Sequence, residues 1–232
     1  VVRGEPDITV QELCRAINEA GDINDIRGIS FLSPEGKVRN NPPRELLRDL
    51  DSLPFPARHF VEKNYFSNPK LKRSPYTAIV TSRNCPFQCI YCVPSSLTFA
   101  RELETRAHTG KKPFISKRSV ENVVAEIDQL AAEGYKAIGF MDDNFIITEK
   151  RLKPIAEALK KYDIIWGCQA RVDAITENIA FILGSTGCHY VDLGVESFND
   201  EILEYIKKGA SREQTIEAIN LLNTYKVPVK LN

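Results

Sequence analysis

Three cysteines stand close together in this sequence: Cys85, Cys89 and Cys92 are separated by three residues and then by two. Half of the chain's six cysteines thus fall within eight residues, directly after a β-like run. Each iron of an iron–sulfur cluster takes one cysteine, so a short loop with three thiolates can ligate one face of a 4Fe–4S cube. The fourth iron has no obvious ligand in this sequence. The spacing therefore predicts a cluster in which one iron stays open.

A structural zinc site or a redox-active disulfide is the alternative use of the same cysteines. Structural zinc is closed by four protein ligands. The nearest histidine after Cys92 is His108, sixteen residues further along in a charged stretch. Because that histidine is distant, the pattern favours the cluster and leaves zinc as the second interpretation.

The composition restricts the partners and the compartment. The 232 residues are 43% hydrophobic and 27% charged, which suits one main globular domain. Lys plus Arg and Asp plus Glu both number 31, so no overall positive field attracts nucleic acid, and no apolar run is long enough to cross a bilayer. No signal segment opens the chain, and clustered reduced thiols suit a reducing compartment. We expect a cytoplasmic protein that has no membrane span and binds no nucleic acid.

The first part of the chain is predicted to be a small α+β segment followed by a linker. Residues 7–17 carry apolar side chains at positions 10, 13, 14 and 17, which predicts an amphipathic helix with Cys14 buried on its apolar face. Residues 28–32 and 37–40 flank the turn-forming Ser33-Pro34-Glu35-Gly36 and predict a β-hairpin. Four prolines between residues 42 and 58 predict an extended tether.

From residue 76 the pattern changes to strands that alternate with helices. Strands are predicted at residues 76–82, 137–141, 164–169, 190–195 and 228–232, and helices at residues 119–133, 150–162, 176–185, 199–206 and 212–225. This spacing is typical of βαβ units, whose helical crossovers connect parallel strands. The predicted fold class is therefore α/β: a partial (β/α) TIM-like barrel, truncated near strand five, behind a small N-terminal α+β linker segment.

The predicted strands have an apolar and a polar side. Alternate residues of a strand face the same way, so Val191 and Leu193 share one side and Asp192 and Gly194 share the other. The apolar side must meet the helices. Burial of an unpaired polar group costs about 2–7 kcal/mol, so polar side chains cannot fill a dry core. We therefore expect the barrel interior to hold a polar ligand.

Polar candidates gather where the predicted strands end. Cys85, Asp142, Arg171 and Glu196 all lie at or just past the carboxyl ends of their strands, which form the rim where β/α barrels carry their active sites. A purely structural interpretation is also open, in which Arg171 pairs with Glu196 and fastens neighbouring strands. Four candidates on one rim favour a binding or catalytic site.

The cysteine motif, with the aromatic Tyr91 just before its last cysteine, resembles the signature of the radical S-adenosylmethionine (radical SAM) superfamily. The likeness extends from end to end of the chain and points to the branch that carries a cobalamin-binding domain ahead of the radical SAM barrel. The flanking stretches that carry it are Val2-Arg3-Gly4-Glu5, Leu53-Pro54-Phe55-Pro56-Ala57-Arg58-His59, Lys117-Arg118-Ser119, Asp142-Asp143-Asn144-Phe145, Arg171-Val172-Asp173 and Gly194-Val195-Glu196-Ser197. The resemblance implies that residues 1–72 are the end of a cobalamin-binding-like domain with its linker, and residues 73–232 a radical SAM partial barrel truncated at its C-terminus.

The resemblance implies a role for the cysteine loop. Cys85, Cys89 and Cys92 would hold a 4Fe–4S cluster, and the amino and carboxylate groups of SAM's methionine part would chelate the open iron. Tyr91 matches the aromatic position that lies against the adenine.

The other rim residues would also contact SAM. Asp142, Asp143 and Asn144 occupy the place of the family's ammonium contact, usually Gly-Gly-Glu; carboxylates and an amide can still accept from an ammonium. Arg171 could bind the SAM carboxylate through two parallel N–H donors, and Glu196 could accept from the ribose hydroxyls or the ammonium.

The implied reaction is reductive cleavage of SAM to methionine and a 5′-deoxyadenosyl radical, which takes hydrogen from a carbon of a small organic substrate. The electron would come from a low-potential donor such as a flavodoxin or a ferredoxin. Cobalamin, bound mainly by a domain outside this chain, would take part in methyl transfer or in oxidoreductive, ring-forming chemistry. A methylthiotransferase would need a second cysteine set upstream, where only Cys14 is found; a zinc-binding interaction module is the non-enzymatic alternative.

Overall fold

The computed structural model describes residues 1–87, 89–92 and 115–232. These residues fall into two compact units, one of residues 1–48 and a larger one of residues 49–87, 89–92 and 115–232. The described part of the smaller unit contains a helix and a hairpin, and the larger unit contains a parallel sheet.

Helix α1 (Pro6–Asn18) of the smaller unit begins at a proline, whose fixed φ suits a first helical turn. Its buried residue is Thr9, whose hydroxyl donates to the carbonyl of Arg27 (3.2 Å) and accepts from Nε of Arg44 (2.8 Å). Cys14 is exposed. The predicted burial of Cys14 is therefore wrong, because the helix is held by polar bonds at Thr9, and Val10 and Ile17 of the predicted apolar face are exposed as well.

Strands β1 (Ser30–Leu32) and β2 (Val38–Asn40) form the predicted antiparallel hairpin. The N–H of Ser33 donates to the carbonyl of Lys37 (2.8 Å), and the N–H of Gly36 donates to the carbonyl of Ser33 (2.9 Å). Gly36 has a φ of +74°, which costs glycine little and other residues more. The hairpin prediction is confirmed.

The first strand predicted for the barrel is divided in the structure. Strand β3 (Tyr76–Ile79) belongs to the parallel sheet, whereas β4 (Ser82–Arg83) pairs antiparallel with β5 (Ser116–Lys117). The strand breaks where the N–H of Thr81 donates to the carboxylate of Asp142 (3.0 Å) instead of a strand neighbour. The prediction of one continuous strand is therefore wrong.

The larger unit contains a five-stranded parallel sheet whose spatial order follows the chain. After β3 its strands are β6 (Ala137–Phe140), β7 (Ile165–Arg171), β8 (Cys188–Gly194) and β9 (Val229–Leu231). The helices are α2 (Val120–Ala132), α3 (Glu149–Lys161), α4 (Glu177–Ser185), α5 (Asp200–Tyr205) and α6 (Arg212–Thr224). The predicted alternation of parallel strands and helices is confirmed. The tether that was predicted to be extended contains two short 3-10 turns, Leu50–Ser52 and Arg58–Phe60.

The outer face of the sheet packs against the helices and forms the apolar core. Trp166, Cys168, Val191 and Leu193 are all completely buried there. Their side is the one that strand alternation assigned to the helices. Burial of each large apolar side chain stabilises the fold by about 1.5–3 kcal/mol, so this face holds the sheet in place.

The inner face of the sheet is closed toward the amino-terminal ends of its strands. Two glycines leave space that two tyrosines fill: a Cβ on Gly167 would lie 2.1 Å from Cε1 of Tyr190, and a Cβ on Gly139 would lie 2.7 Å from the hydroxyl of Tyr76. Leu71, Tyr190 and Tyr76 pack together in a small cluster there. The glycines are therefore places where a neighbouring side chain approaches the backbone.

The carboxylate of Asp192 on the same face has a lysine partner. Nζ of Lys70 donates to both oxygens of Asp192 and lies 4.8 Å from the centre of the Tyr190 ring, and Asn68 donates to the Tyr190 hydroxyl (3.2 Å). We call Lys70, Tyr76, Gly139, Gly167, Tyr190 and Asp192 the floor. For the floor, the expectation of a polar ligand is wrong, because the chain itself fills the space and pairs the charge.

Candidate functional site

The cysteine loop starts after β3, where Asp142 fastens it. The carboxylate of Asp142 is buried and accepts from the Thr81 N–H (3.0 Å), the Thr81 hydroxyl (2.7 Å) and the Ser82 hydroxyl (2.6 Å). A buried carboxylate requires such donors, since leaving it unpaired is costly. Asp142 thus fixes the direction in which the chain leaves the sheet.

Two arginines hold the carbonyl side of the same turn. Nη2 of Arg151 and the N–H of Arg118 both donate to the Thr81 carbonyl, at 3.2 and 3.0 Å, and Nη1 of Arg151 donates to the Arg118 carbonyl (2.7 Å). Burial lowers the pKa of Arg151, while the charge of Asp142 opposes that shift. Thr81 is therefore held through both its N–H and its carbonyl.

The three cysteines that follow are free thiols. Cys89 is buried, and Cys85 and Cys92 are half-buried. Burial raises the pKa of Cys85; the charge of Arg171 opposes this shift, and Cys92 adds to it. The N–H of Cys92 donates to the carbonyl of Cys89 (3.2 Å), which closes a turn between these two cysteines.

The donor set fits an iron–sulfur cluster. Each of three irons of a 4Fe–4S cube takes one soft thiolate. Three thiols in one short loop therefore supply suitable ligands, and their sulfur atoms need not meet at a single metal ion. Within residues 1–87, 89–92 and 115–232, no three His, Cys, Asp or Glu side chains are grouped so that they could hold a single metal ion. His108, the histidine of the zinc alternative, lies outside the described residues.

Arg171 connects the cysteine loop to the end of β7. Its Nε and Nη2 donate to the two carboxylate oxygens of Asp173 (2.8 and 3.1 Å), and Nη2 also donates to the Lys208 carbonyl (2.6 Å). Its Nη1 lies 3.7 Å from Sγ of Cys89, and its guanidinium carbon lies 3.5 Å from the centre of the Phe87 ring. The parallel donors that a SAM carboxylate would use are thus engaged by Asp173.

Lys208 forms a second connection, to the other end of the loop. Its buried ammonium donates to the Tyr91 hydroxyl (3.1 Å) and to Oε1 of Glu196 (3.2 Å). Burial, and then the hydrogen bond with Glu196, raises the pKa of Tyr91. A Cβ on Gly194 would lie 2.9 Å from Nζ of Lys208, so this glycine makes room for the ammonium. The structural alternative of an Arg171–Glu196 pair is not found, since these two described residues have other partners.

The segment after β6 presents residues of two kinds. Asp142 is buried beneath the loop, whereas Asp143 is exposed. Oδ1 of Asn144 is buried and has no hydrogen-bond partner among the described residues. The three predicted ammonium contacts are thus unequal, and Asn144 is the one with an available buried acceptor.

The inner face above the floor is open. Met141 follows Gly139 on the inner side of the chain and is 51% exposed, Val80 is 48% exposed, and Gln169 is exposed beside them on the inner side of β7. This open part, which we call the upper interior, borders the rim that carries the cysteine loop.

Sequence reasoning missed Phe87, Asp173 and Lys208. Asp173 stands two positions after Arg171, and this spacing at the end of a strand could have predicted the ion pair between them. Lys208 follows α5 in Lys207-Lys208-Gly209 and carried no such signal, because only the fold brings it to the loop. Among the described residues no helix is long and apolar enough to span a membrane.

The comparison with protein families decides the classification. The family described as "Radical SAM superfamily" matches residues 79–232. The chain belongs to the radical SAM superfamily. It is therefore part of an enzyme family that uses a 4Fe–4S cluster and S-adenosylmethionine, and the resemblance read from the sequence is confirmed.

Curated relatives of this radical SAM chain cover nearly all of it. An uncharacterized methyltransferase of Pyrococcus horikoshii is 36% identical over 94% of the chain and 45% of the relative. The anaerobic magnesium-protoporphyrin IX monomethyl ester cyclase of Rubrivivax gelatinosus is 29% identical over 96% of the chain and 39% of the relative. The chain thus spans less than half the length of these relatives.

Solved structures of two radical SAM enzymes have the same fold. The cobalamin-dependent S-adenosylmethionine radical enzyme OxsB matches with a TM-score of 0.72 at 20% identity, over 98% of this chain and 32% of that one. The radical SAM methyltransferase TsrM from Kitasatospora setae matches with a TM-score of 0.69 at 18% identity, over 99% of this chain and 44% of that one. The open parallel sheet is thus a partial radical SAM barrel, which confirms the predicted fold class.

Proposed function

We propose that this chain is the catalytic core of a cobalamin-linked radical SAM enzyme in which Cys85, Cys89 and Cys92 hold the 4Fe–4S cluster. The observation that carries the proposal is the trio of free thiols in one short loop. Asp142 fastens the start of this loop to the rim, and a buried arginine contacts Cys89. When bound, the cluster and SAM together supply a 5′-deoxyadenosyl radical on reduction. The chain's own residues position these groups and limit access of water.

The SAM side of the site is proposed from residues of the rim. The buried Oδ1 of Asn144 has no hydrogen-bond partner among the described residues, so it would accept from the methionine ammonium, and the carboxylate of Asp143, the residue just before it, would add a negative charge there. Tyr91, held by Lys208, would lie against the adenine. Asp142 is already engaged by the loop and would act only by holding it. Glu196 would accept from the ribose hydroxyls or the ammonium.

The upper interior would take the organic substrate. Its exposed residues lie on the inner face next to the rim, where a radical formed at the cluster would be delivered. The relatives are named as a methyltransferase and a cyclase, so methyl transfer and oxidoreductive ring formation are the two reactions we propose, with methyl transfer favoured by the more similar relative.

The remaining partners follow from that chemistry. Cobalamin would be bound mainly by protein outside residues 1–232, residues 1–72 would be the end of its domain with the linker, and residues 73–232 the partial barrel. A low-potential flavodoxin or ferredoxin in the cytoplasm would supply the electron.

Anaerobic reconstitution with iron and sulfide tests the proposal. We expect a broad visible absorption band that bleaches on reduction, a paramagnetic resonance signal in the reduced state, and release of 5′-deoxyadenosine from SAM. The triple variant C85A/C89A/C92A is the matched control and should show none of these. Stoichiometric zinc uptake by the parent chain without the band would support the zinc module instead.

A further inference from the structure

We propose that Arg171 is a positioning residue that acts on the cluster through Cys89: it donates a hydrogen bond to the Cys89 sulfur and thereby raises the reduction potential of the cluster, instead of binding the carboxylate of SAM. The inference rests on the proposed function, because Cys89 must be a cluster ligand for this contact to affect the iron.

The assignment of the guanidinium donors supports this role. An arginine has five N–H groups in a fixed fork. Nε and Nη2 of Arg171 are engaged by Asp173 and by the carbonyl of Lys208, at 2.6–3.1 Å. Nη1 is the nitrogen that these partners leave, and it lies 3.7 Å from Sγ of Cys89. The two parallel N–H donors of Nε and Nη2 that could bind a carboxylate are therefore already used by Asp173. The remaining nitrogen, Nη1, faces the sulfur of Cys89.

The donor is also held rigidly. The side chain of Arg171 is 9% exposed, and its guanidinium lies against the ring of Phe87, which belongs to the same loop as Cys89. A cation–π contact and a bidentate ion pair together fix the plane of the guanidinium. The N–H of Arg171 is thus held in one orientation toward the sulfur of Cys89.

Cys89 is the thiol for which such a donor matters most. It is 5% exposed, whereas Cys85 and Cys92 are half-buried, so water cannot readily replace a lost hydrogen bond at Cys89. Hydrogen bonds to cluster sulfurs and nearby positive charge both stabilise the reduced, more negative cluster. Both effects of Arg171 therefore shift the reduction potential in the same, positive direction.

The test compares three variants of the reconstituted chain: Arg171→Met, Arg171→Lys and Arg73→Met. Arg73 forms an ion pair with the exposed Asp163 (2.8 Å) and serves as the control for loss of one positive charge. Iron content, the cluster midpoint potential by paramagnetic resonance titration, and SAM affinity by calorimetry are measured for each. We expect the midpoint to move to a more negative value in R171M, to move less in R171K, which keeps the charge but not the fork, and to stay unchanged in R73M.

SAM affinity separates this role from the alternative. We expect the Kd for SAM in R171M to stay within about threefold of the parent value, whereas loss of a bidentate carboxylate partner would weaken binding by about tenfold or more. An unchanged midpoint with weakened SAM binding overturns the inference. If R171M does not retain iron, the midpoint potential and the SAM affinity of R171K decide between the two roles. A parent chain that takes up no cluster overturns the proposed function as well, whereas a parent that takes it up and variants without a shift overturn this inference alone.

Discussion

The floor and the rim of the same sheet use polar residues in opposite ways. On the floor, Lys70 and Asp192 satisfy each other, and tyrosine rings fill the space that two glycines leave. On the rim, Arg171 and Lys208 are paired as well, but each also contacts the cysteine loop. The floor pair ends at these two side chains, whereas the rim contacts extend to a thiol and to a tyrosine of the cysteine loop.

This difference separates polar residues that close the barrel from those that serve its chemistry. Burial does not distinguish them, since Asp142 and Lys208 on the rim are as deeply buried as Tyr190 on the floor. The two groups differ in whether their contacts reach the cysteine loop: those of the rim residues do, and those of the floor residues do not. Substitutions on the floor should therefore change stability, and those on the rim should change cluster binding.

The largest effect is expected for the rim. Cys89→Ala should lower the iron content of the reconstituted chain from about four atoms to less than one, because one of three ligands is lost. Iron analysis and circular dichroism of the purified variant measure this together. Cooperative thermal unfolding should persist, and its loss would contradict the separation of loop and sheet. Cys14→Ala is the matched control and should retain full iron, since Cys14 is an exposed thiol of helix α1.

The second effect belongs to the floor. Gly167→Ala places a Cβ 2.1 Å from the Tyr190 ring, which must move, so unfolding should become easier by about 1–3 kcal/mol. Urea unfolding measures the change. Gly21→Ala, whose Cβ would meet its nearest atom at an ordinary 3.5 Å, should change stability by less than about 1 kcal/mol. A G167A variant as stable as the parent would show that the floor is not tightly filled.

The last comparison breaks one carboxylate contact in each region, and its Lys70→Met variant has the smallest expected effect. Asp142→Asn replaces an acceptor oxygen that faces donors from Thr81 and Ser82, which should reduce stability by about 1–3 kcal/mol and also reduce iron retention. Lys70→Met breaks a pair whose lysine is 35% exposed, so it should reduce stability by about 1 kcal/mol or less and leave iron retention unchanged. Equal iron losses in D142N and K70M would remove the distinction between rim and floor.

Much of the fold could be predicted from local pattern. Strand alternation assigns Val191 and Leu193 to the helical side correctly, because the two-residue period of a strand can be read without knowledge of other segments. Ser33 to Gly36 predicted the hairpin, since turn residues act through their own backbone. The spacing of the cysteines alone predicted a cluster loop, and the family comparison bears out the superfamily.

The errors arose where a contact joins distant segments. Strand alternation predicts an interior that holds a polar ligand, but beside Gly167 a tyrosine from the adjacent strand fills the space. Asp192 was treated as unpaired, although Lys70 comes from 122 positions earlier in the chain. The structural alternative, in which Arg171 pairs with Glu196, is not found, because Asp173, only two residues away, binds Arg171. Sequence periodicity predicts on which face of the sheet a side chain lies, but not which residue from a distant segment contacts it.

The short ladder of β4 with β5 has an evolutionary consequence. It joins Ser82 to Lys117 and Arg83 to Ser116, so both ends of the long insertion that contains the cysteines are pinned by backbone pairing. The entropy of closing a loop grows slowly, by about 0.6 kcal/mol for each doubling of its length. The chain between these two strands can therefore change in length at a small energetic penalty, and related proteins should differ in the number of residues there while keeping the three-then-two spacing of their thiols.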